Sequence, residues 1–232
     1  MESATEPEAR PGFASAAESF IRSWAAPLAS LVTGRRWHRG PVDPGVAANR
    51  RLTATTGIAL LVLLAVEGAT LLSIRSLLPV HLFVGLMLVP PVMLKLGTTG
   101  WRFIRYYTGD RRYRAAGPPP LLLRLAGPVV VLSTVALLGT GVELWLAGTR
   151  FGSIWLTAHR ASFVLWFGAM SIHVIGHLEE APSLALQDAA NRPALSGRAR
   201  RTAWVTAALV MGFVLALSTL VWRTPFVIPS GQ

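Results

Sequence analysis

Three of the chain's five histidines, His159, His173 and His177, fall within one apolar run, HRASFVLWFGAMSIHVIGHLEE, and a fourth, His81, opens another, HLFVGLMLVPP. An imidazole in an apolar helix costs free energy unless its nitrogens are bonded. Neutral imidazole is also a good ligand for iron, copper and zinc. His173 follows His159 by fourteen residues. On a helix that turns through about 1400°, about 40° short of four turns, with a rise of about 21 Å. The two rings therefore share one face at opposite ends of a helix long enough to cross a membrane. His177, four residues after His173 and followed by Glu179 and Glu180, lies on the same face. That spacing can hold a divalent metal if further ligands join it; the other readings are an interfacial helix end and an alternative to His173 as a ligand. With no cysteine, thiolate metal sites, iron–sulfur clusters and disulfides are excluded.

The elements that must position these rings are membrane spans. The chain is 52% hydrophobic and 14% charged, with mean hydropathy +0.49, far from the composition of a soluble domain. Five stretches, 53–73, 80–98, 125–146, 154–178 and 203–222, are apolar over the roughly 20 residues that a hydrocarbon core requires. The net charge of +11 does not indicate nucleic-acid binding, because seventeen of the 22 basic residues lie before the first span, between spans two and three, or between spans four and five. The positive-inside rule then puts the N-terminus in the cytoplasm and the C-terminus outside. One lysine against twenty-one arginines points to GC-rich coding, and hence a bacterium.

Alternating spans place His81, at the start of span two, and His159, early in span four, at similar depth near the outer face. Two histidines at matched depth can approach a flat ligand from opposite sides, as a six-coordinate haem iron requires. Such an iron has no open position and passes electrons. The alternative is that each ring is an interfacial residue reaching headgroups. At the inner level the residue fourteen after His81 is Lys95, where a partner of His173 would be expected. A lysine ligates iron only as the neutral amine, and otherwise snorkels to the interface. Pro90 and Pro91 are expected to interrupt span two and its helical phase. Glu67 and Glu143 are acids in the outer halves of spans one and three. They mark a proton or quinone path, or else pair with Arg75, Arg150 or Arg160. Gly85, Gly139, Gly141 and Gly168 give room for a macrocycle or for close helix packing.

Outside the spans, residues 1–52 form a cytoplasmic N-terminal segment. A polar, disordered start (1–12) precedes an amphipathic helix from Phe13, carrying Phe20, Ile21, Trp24, Leu28, Leu31 and Val32, expected to lie on the membrane surface. Residues 34–45 are a turn-rich linker containing a solvated His38. YYTGDRRYRAAGPPP (106–120) is a basic, aromatic cytoplasmic loop. Residues 53–178 are the four-helix core, 179–201 a loop with room for a short surface helix, and 202–232 a fifth span with an external tail. No phosphate loop, nucleophile elbow or metalloprotease signature is present.

The runs HLFVGLMLVPP, LKLGTTGWRFIRYYTG and HRASFVLWFGAMSIHVIGHL resemble the membrane subunits of the bacterial cytochrome b561 and hydrogenase or formate dehydrogenase cytochrome b group. The resemblance covers residues 53–178 and implies an all-α transmembrane fold, a four-helix haem-binding bundle to which the fifth helix is an addition. It implies haem b with His81 and His159 as one axial pair, and His173 as a ligand of a second haem. Lys95 stands where the group has a histidine, leaving one haem or a His/Lys site. The function implied is electron transfer between the quinone pool and a partner redox protein, as an oxidoreductase subunit in the bacterial cytoplasmic membrane. Two competing expectations are a proton-coupled or metal-ion transporter using Glu67, Glu143, His173 and His177, and a haem-free scaffold holding a partner through its basic loops.

Overall fold

Proline, glycine and aspartate punctuate the chain into helices, and no strand occurs among the described residues. The structure is a computed structural model that describes residues 13–33, 42–117, 120–189, 197–222 and 224–225. The start at 1–12, His38 with most of its linker, and most of the C-terminal tail lie outside the described residues. The helices are α1 (Phe13–Thr33), α2 (Pro44–Thr70), α3 (Ile74–Tyr107), α4 (Arg111–Ala115), α5 (Leu121–Ala147), α6 (Ile154–His177), α7 (Glu180–Ala189) and α8 (Arg198–Val221). At the start of α2 the Asp43 carboxylate accepts from the N–H groups of Gly45 and Val46, and Pro44 occupies the first turn, where its missing N–H costs nothing. α5 stops at Gly148, whose φ of 60° suits glycine. The basic loop contains one unexpected turn, α4, capped by Asp110.

By length and composition Pro44–Tyr107, Leu121–Ala147 and Arg198–Val221 can each cross a membrane, and Ile154–His177 with Glu180–Ala189 is a fourth candidate, bent by 60°. Between 11% and 22% of the most apolar windows of the three is buried. Large side chains such as Leu132, Val164, Phe167 and Val214 face outward. An apolar exterior of this extent is what lipid requires and water penalises. The protein is a multi-pass helical membrane protein.

The stretch Pro44–Tyr107 is not one rod. The Lys95 ammonium donates to the Thr53 carbonyl at 2.9 Å, and His81 Nδ1 lies 3.0 Å from Glu67 Oε1. Residues 42 positions apart would be separated by about 63 Å on a continuous helix. A single 3-10 turn at Leu71–Ser73 therefore folds α3 back antiparallel on α2. α5 and α6 make a second hairpin, with Trp166 Nε1 donating to Thr134 Oγ1 at 3.0 Å. The two hairpins touch through α3 and α5, α8 packs along α3, and α7 crosses α2. The turns at 71–73 and 148–153 lie at one end, and the arginine-rich segments at the other.

α3 runs unbroken through Pro90 and Pro91, contrary to the expected interruption. Those prolines cannot donate to the carbonyls of Leu86 and Met87, one turn earlier. A neighbour answers at Met87: Gly212 of α8 comes so close that a Cβ there would collide with the Met87 oxygen. A Cα–H can face the freed carbonyl at that distance, and a helix pair with a small residue at its crossing keeps the diproline in register. The Phe83 and Phe213 rings meet beside this crossing, 5.9 Å apart.

Candidate functional site

α3 and α6 each bring one histidine to the turn end, and the rings of His81 and His159 stand 6.4 Å apart between centroids, at 87° to one another. Each ring is anchored by the helix before it. His81 Nδ1 meets Glu67 Oε1 at 3.0 Å and Thr70 Oγ1 at 2.9 Å. The Thr70 hydroxyl spends its own hydrogen on the Glu67 carbonyl, so it accepts from the ring. His159 Nδ1 meets the Leu137 carbonyl at 3.2 Å and Thr140 Oγ1 at 3.1 Å. Thr140 likewise donates to a backbone oxygen, that of Ala136 at 2.7 Å.

Every atom facing the two Nδ1 positions is thus an acceptor. The proton of each neutral ring belongs on Nδ1, and the lone pair on Nε2. Neither Nε2 takes part in a hydrogen bond among the described residues. Fixing one ring nitrogen on a carboxylate or carbonyl so that the other is free is how metal-ligating histidines are held. The spacing fits the same use. With a metal–nitrogen bond of about 2 Å and a ring nitrogen about 1.2 Å from its centroid, two opposed imidazoles on one ion stand about 6.4 Å apart. Two glycines allow the arrangement: a Cβ at Gly141 would press on His159 Cε1 at 3.3 Å, and one at Gly85 would touch Glu67 Oε1 at 3.4 Å.

Sequence spacing brings out His81 and His159 but not their anchors Thr70, Thr140 and the Leu137 carbonyl. The only signal for those is a threonine in an otherwise apolar run. Of the two readings for Glu67, the arginine pairing is not the one found among the described residues: its partner is His81, and its second oxygen, Oε2, is buried without a hydrogen bond. Glu143 pairs with no arginine either among the described residues, where its Oε2 is also buried without a partner.

At the opposite end Lys95 is turned to the neighbouring helix rather than out to the interface. Its ammonium crosses to the Thr53 carbonyl over Gly57, where a Cβ would lie 2.6 Å from Nζ. The His173 and His177 rings meet at 4.7 Å between centroids, tilted by 50°. His177 Nδ1 faces Glu180 at 3.6 Å, and Arg50 closes on the same carboxylate. Glu180 begins α7, beyond the end of α6. Burial alone would raise its pKa, but the hydrogen bond from His177 and the charge and hydrogen bond of Arg50 hold it at about 2. Behind it Arg201 grips Asp188 through Nε, 3.1 Å from each oxygen. Sequence reasoning missed this buried pair. Among the described residues no group of three or more His, Cys, Asp or Glu side chains forms a metal cage. Comparison of the chain with protein-family models, with curated proteins and with solved structures finds no match.

Proposed function

We propose that this protein is a membrane b-type cytochrome in which His81 and His159 are the axial ligands of one haem. It carries electrons between the quinone pool and a partner redox protein, as a subunit of an oxidoreductase rather than as a complete enzyme. The observation that carries the reading is the histidine pair: two rings 6.4 Å apart, both held at Nδ1 by acceptors on the preceding helix. A bis-histidine haem would supply one-electron redox chemistry with no open coordination position. The chain's own residues do the rest. Glu67 and Thr70 fix the plane and tautomer of His81, and Leu137 and Thr140 those of His159. The surrounding helices keep the pair out of water, and a Glu67 carboxylate hydrogen-bonded to a ligand ring raises its basicity.

In this reading α2, α3, α5 and α6 form a four-helix haem bundle with α8 as a fifth span, the N-terminus cytoplasmic and the C-terminus outside in a bacterial cytoplasmic membrane. A haem count of one is supported by Lys95, which stands opposite His173 but donates to the Thr53 carbonyl as an ammonium. The test is an absorption spectrum of the purified protein with a haem-to-protein ratio. A reducible Soret band at one haem per chain is expected, falling at least tenfold in His81→Ala and in His159→Ala while the variants elute as the wild type does. A colourless protein, or one whose band survives both substitutions, refutes the reading.

A further inference from the structure

The arginine-rich end holds more buried positive charge than its carboxylates can answer. Arg50, Arg51, Lys95, Arg102 and Arg201 lie within electrostatic reach of Glu180 or Asp188 or of one another. Asp188 is engaged by Arg201, and Glu180 is divided between Arg50 and His177. Neither of these two carboxylates pairs with Lys95, Arg51 or Arg102 among the described residues. Arg51 has a buried Nε with no hydrogen-bond partner. Arg102 is partly buried and makes no hydrogen bond or ion pair among the described residues.

Arg102 follows Lys95 by seven residues on α3, about 20° short of two turns and about 10 Å along the axis. The two cations therefore share one face of α3, with Arg50 of α2 and its partner Glu180 close by. An unanswered guanidinium beside other cations in a half-dry setting is costly. A phosphate answers it, because the planar fork of arginine pairs with phosphate oxygens through two parallel hydrogen bonds, and an ammonium adds a point charge. Basic pockets between helices at the end of a membrane span meet such groups at headgroup depth.

We propose that Arg102, with Lys95 and Arg50 beside it, forms a binding site for an anionic phosphate group at the arginine-rich end of the α2–α3 hairpin. The group comes from an acidic phospholipid or from free phosphate, and the site stands whether or not a haem is bound at His81 and His159.

The full chain, stripped of lipid in detergent, is titrated separately with phosphatidylglycerol, phosphatidylcholine and inorganic phosphate. Native mass spectrometry reads bound lipid, and thermal unfolding reads stabilisation. Phosphatidylglycerol binding at least tenfold tighter than phosphatidylcholine, with little effect of millimolar phosphate, identifies a lipid site. Stabilisation by inorganic phosphate without lipid preference identifies free phosphate. In either case Arg102→Gln should weaken binding at least tenfold and Arg102→Lys less. Arg112→Gln should change nothing, since Arg112 is already paired with Asp110 at the surface. Equal retention of the two lipids with no response to phosphate overturns the proposal, and the wild-type titrations alone decide this if the variants do not fold. A folded Arg102→Gln protein that binds as the wild type does overturns it as well.

Discussion

Asp188→Ala should be among the most damaging single substitutions outside the histidine pair. The Asp188 and Arg201 side chains are 6% and 5% exposed. The guanidinium reaches both carboxylate oxygens from Nε and closes a third contact from Nη2. Removing the carboxylate deprives a buried arginine of the acid that holds it through Nε and Nη2, with Arg51 close beside it. Breaking one side of a buried pair costs about 3–5 kcal/mol, against about 0–1 kcal/mol for an exposed pair. At about 2–4 °C per kcal/mol for a chain of this length, the unfolding midpoint should fall by about 6–20 °C. Intrinsic fluorescence from the eight tryptophans reads it in detergent. The double variant Asp188→Ala/Arg201→Met removes both charges and should recover most of the loss, because an apolar replacement of a whole pair is often close to neutral. A single variant within about 1 kcal/mol of the wild type, or a double variant no better than the single, would refute the assignment of this pair as a buried clasp between α7 and α8.

Glu180 has a folded pKa of about 2 against an ordinary 4.5. Its contribution is present in full above pH about 4.5 and is lost as pH falls toward 2, as much as about 3 kcal/mol in all. Unfolding midpoints measured from pH 6 to 2 should decline across that window, and Glu180→Gln should start lower and flatten the decline. Gly212→Val should push α8 off α3 at Met87 and destabilise by about 1–3 kcal/mol. Because the chain has no cysteine, a Phe83→Cys/Phe213→Cys pair gives a background-free crosslink between these helices, and its yield should drop in the Gly212→Val protein.

The parts of this architecture that depend on one helix at a time are legible in the sequence. Apolar length gives α2, α3, α5, α6 and α8, the helical spacing of its apolar residues gives α1, and the loop after α6 shows only room for the short helix it holds. His81 and His159 emerge because depth in a membrane can be counted along each span. What the sequence hides is contact across helices. Thr70 and Thr140 look like ordinary helical threonines until a neighbouring helix delivers an imidazole to them. Lys95 finds its partner 42 residues away, at a carbonyl, which has no sequence signature at all. For Glu67 the sequence leaves a proton or quinone path and an arginine partner both open, whereas the hairpin turn offers it a histidine. Pro90 and Pro91 read as a break because the glycine that accommodates them lies in the last helix.

That last dependence has a consequence in time. Met87 and Gly212 are 125 residues apart in the chain (212 − 87), about 6–25 s of synthesis at about 5–20 residues per second. For that interval the carbonyl left bare by Pro91 sits at membrane depth without the helix that will cover it, and there an unanswered carbonyl costs several kcal/mol. α3 therefore enters the bilayer as a provisional span, held by its hairpin with α2, and becomes final only when α8 arrives. α8 is in this sense a latch on α3, and a chain cut before residue 198 would leave α3 waiting.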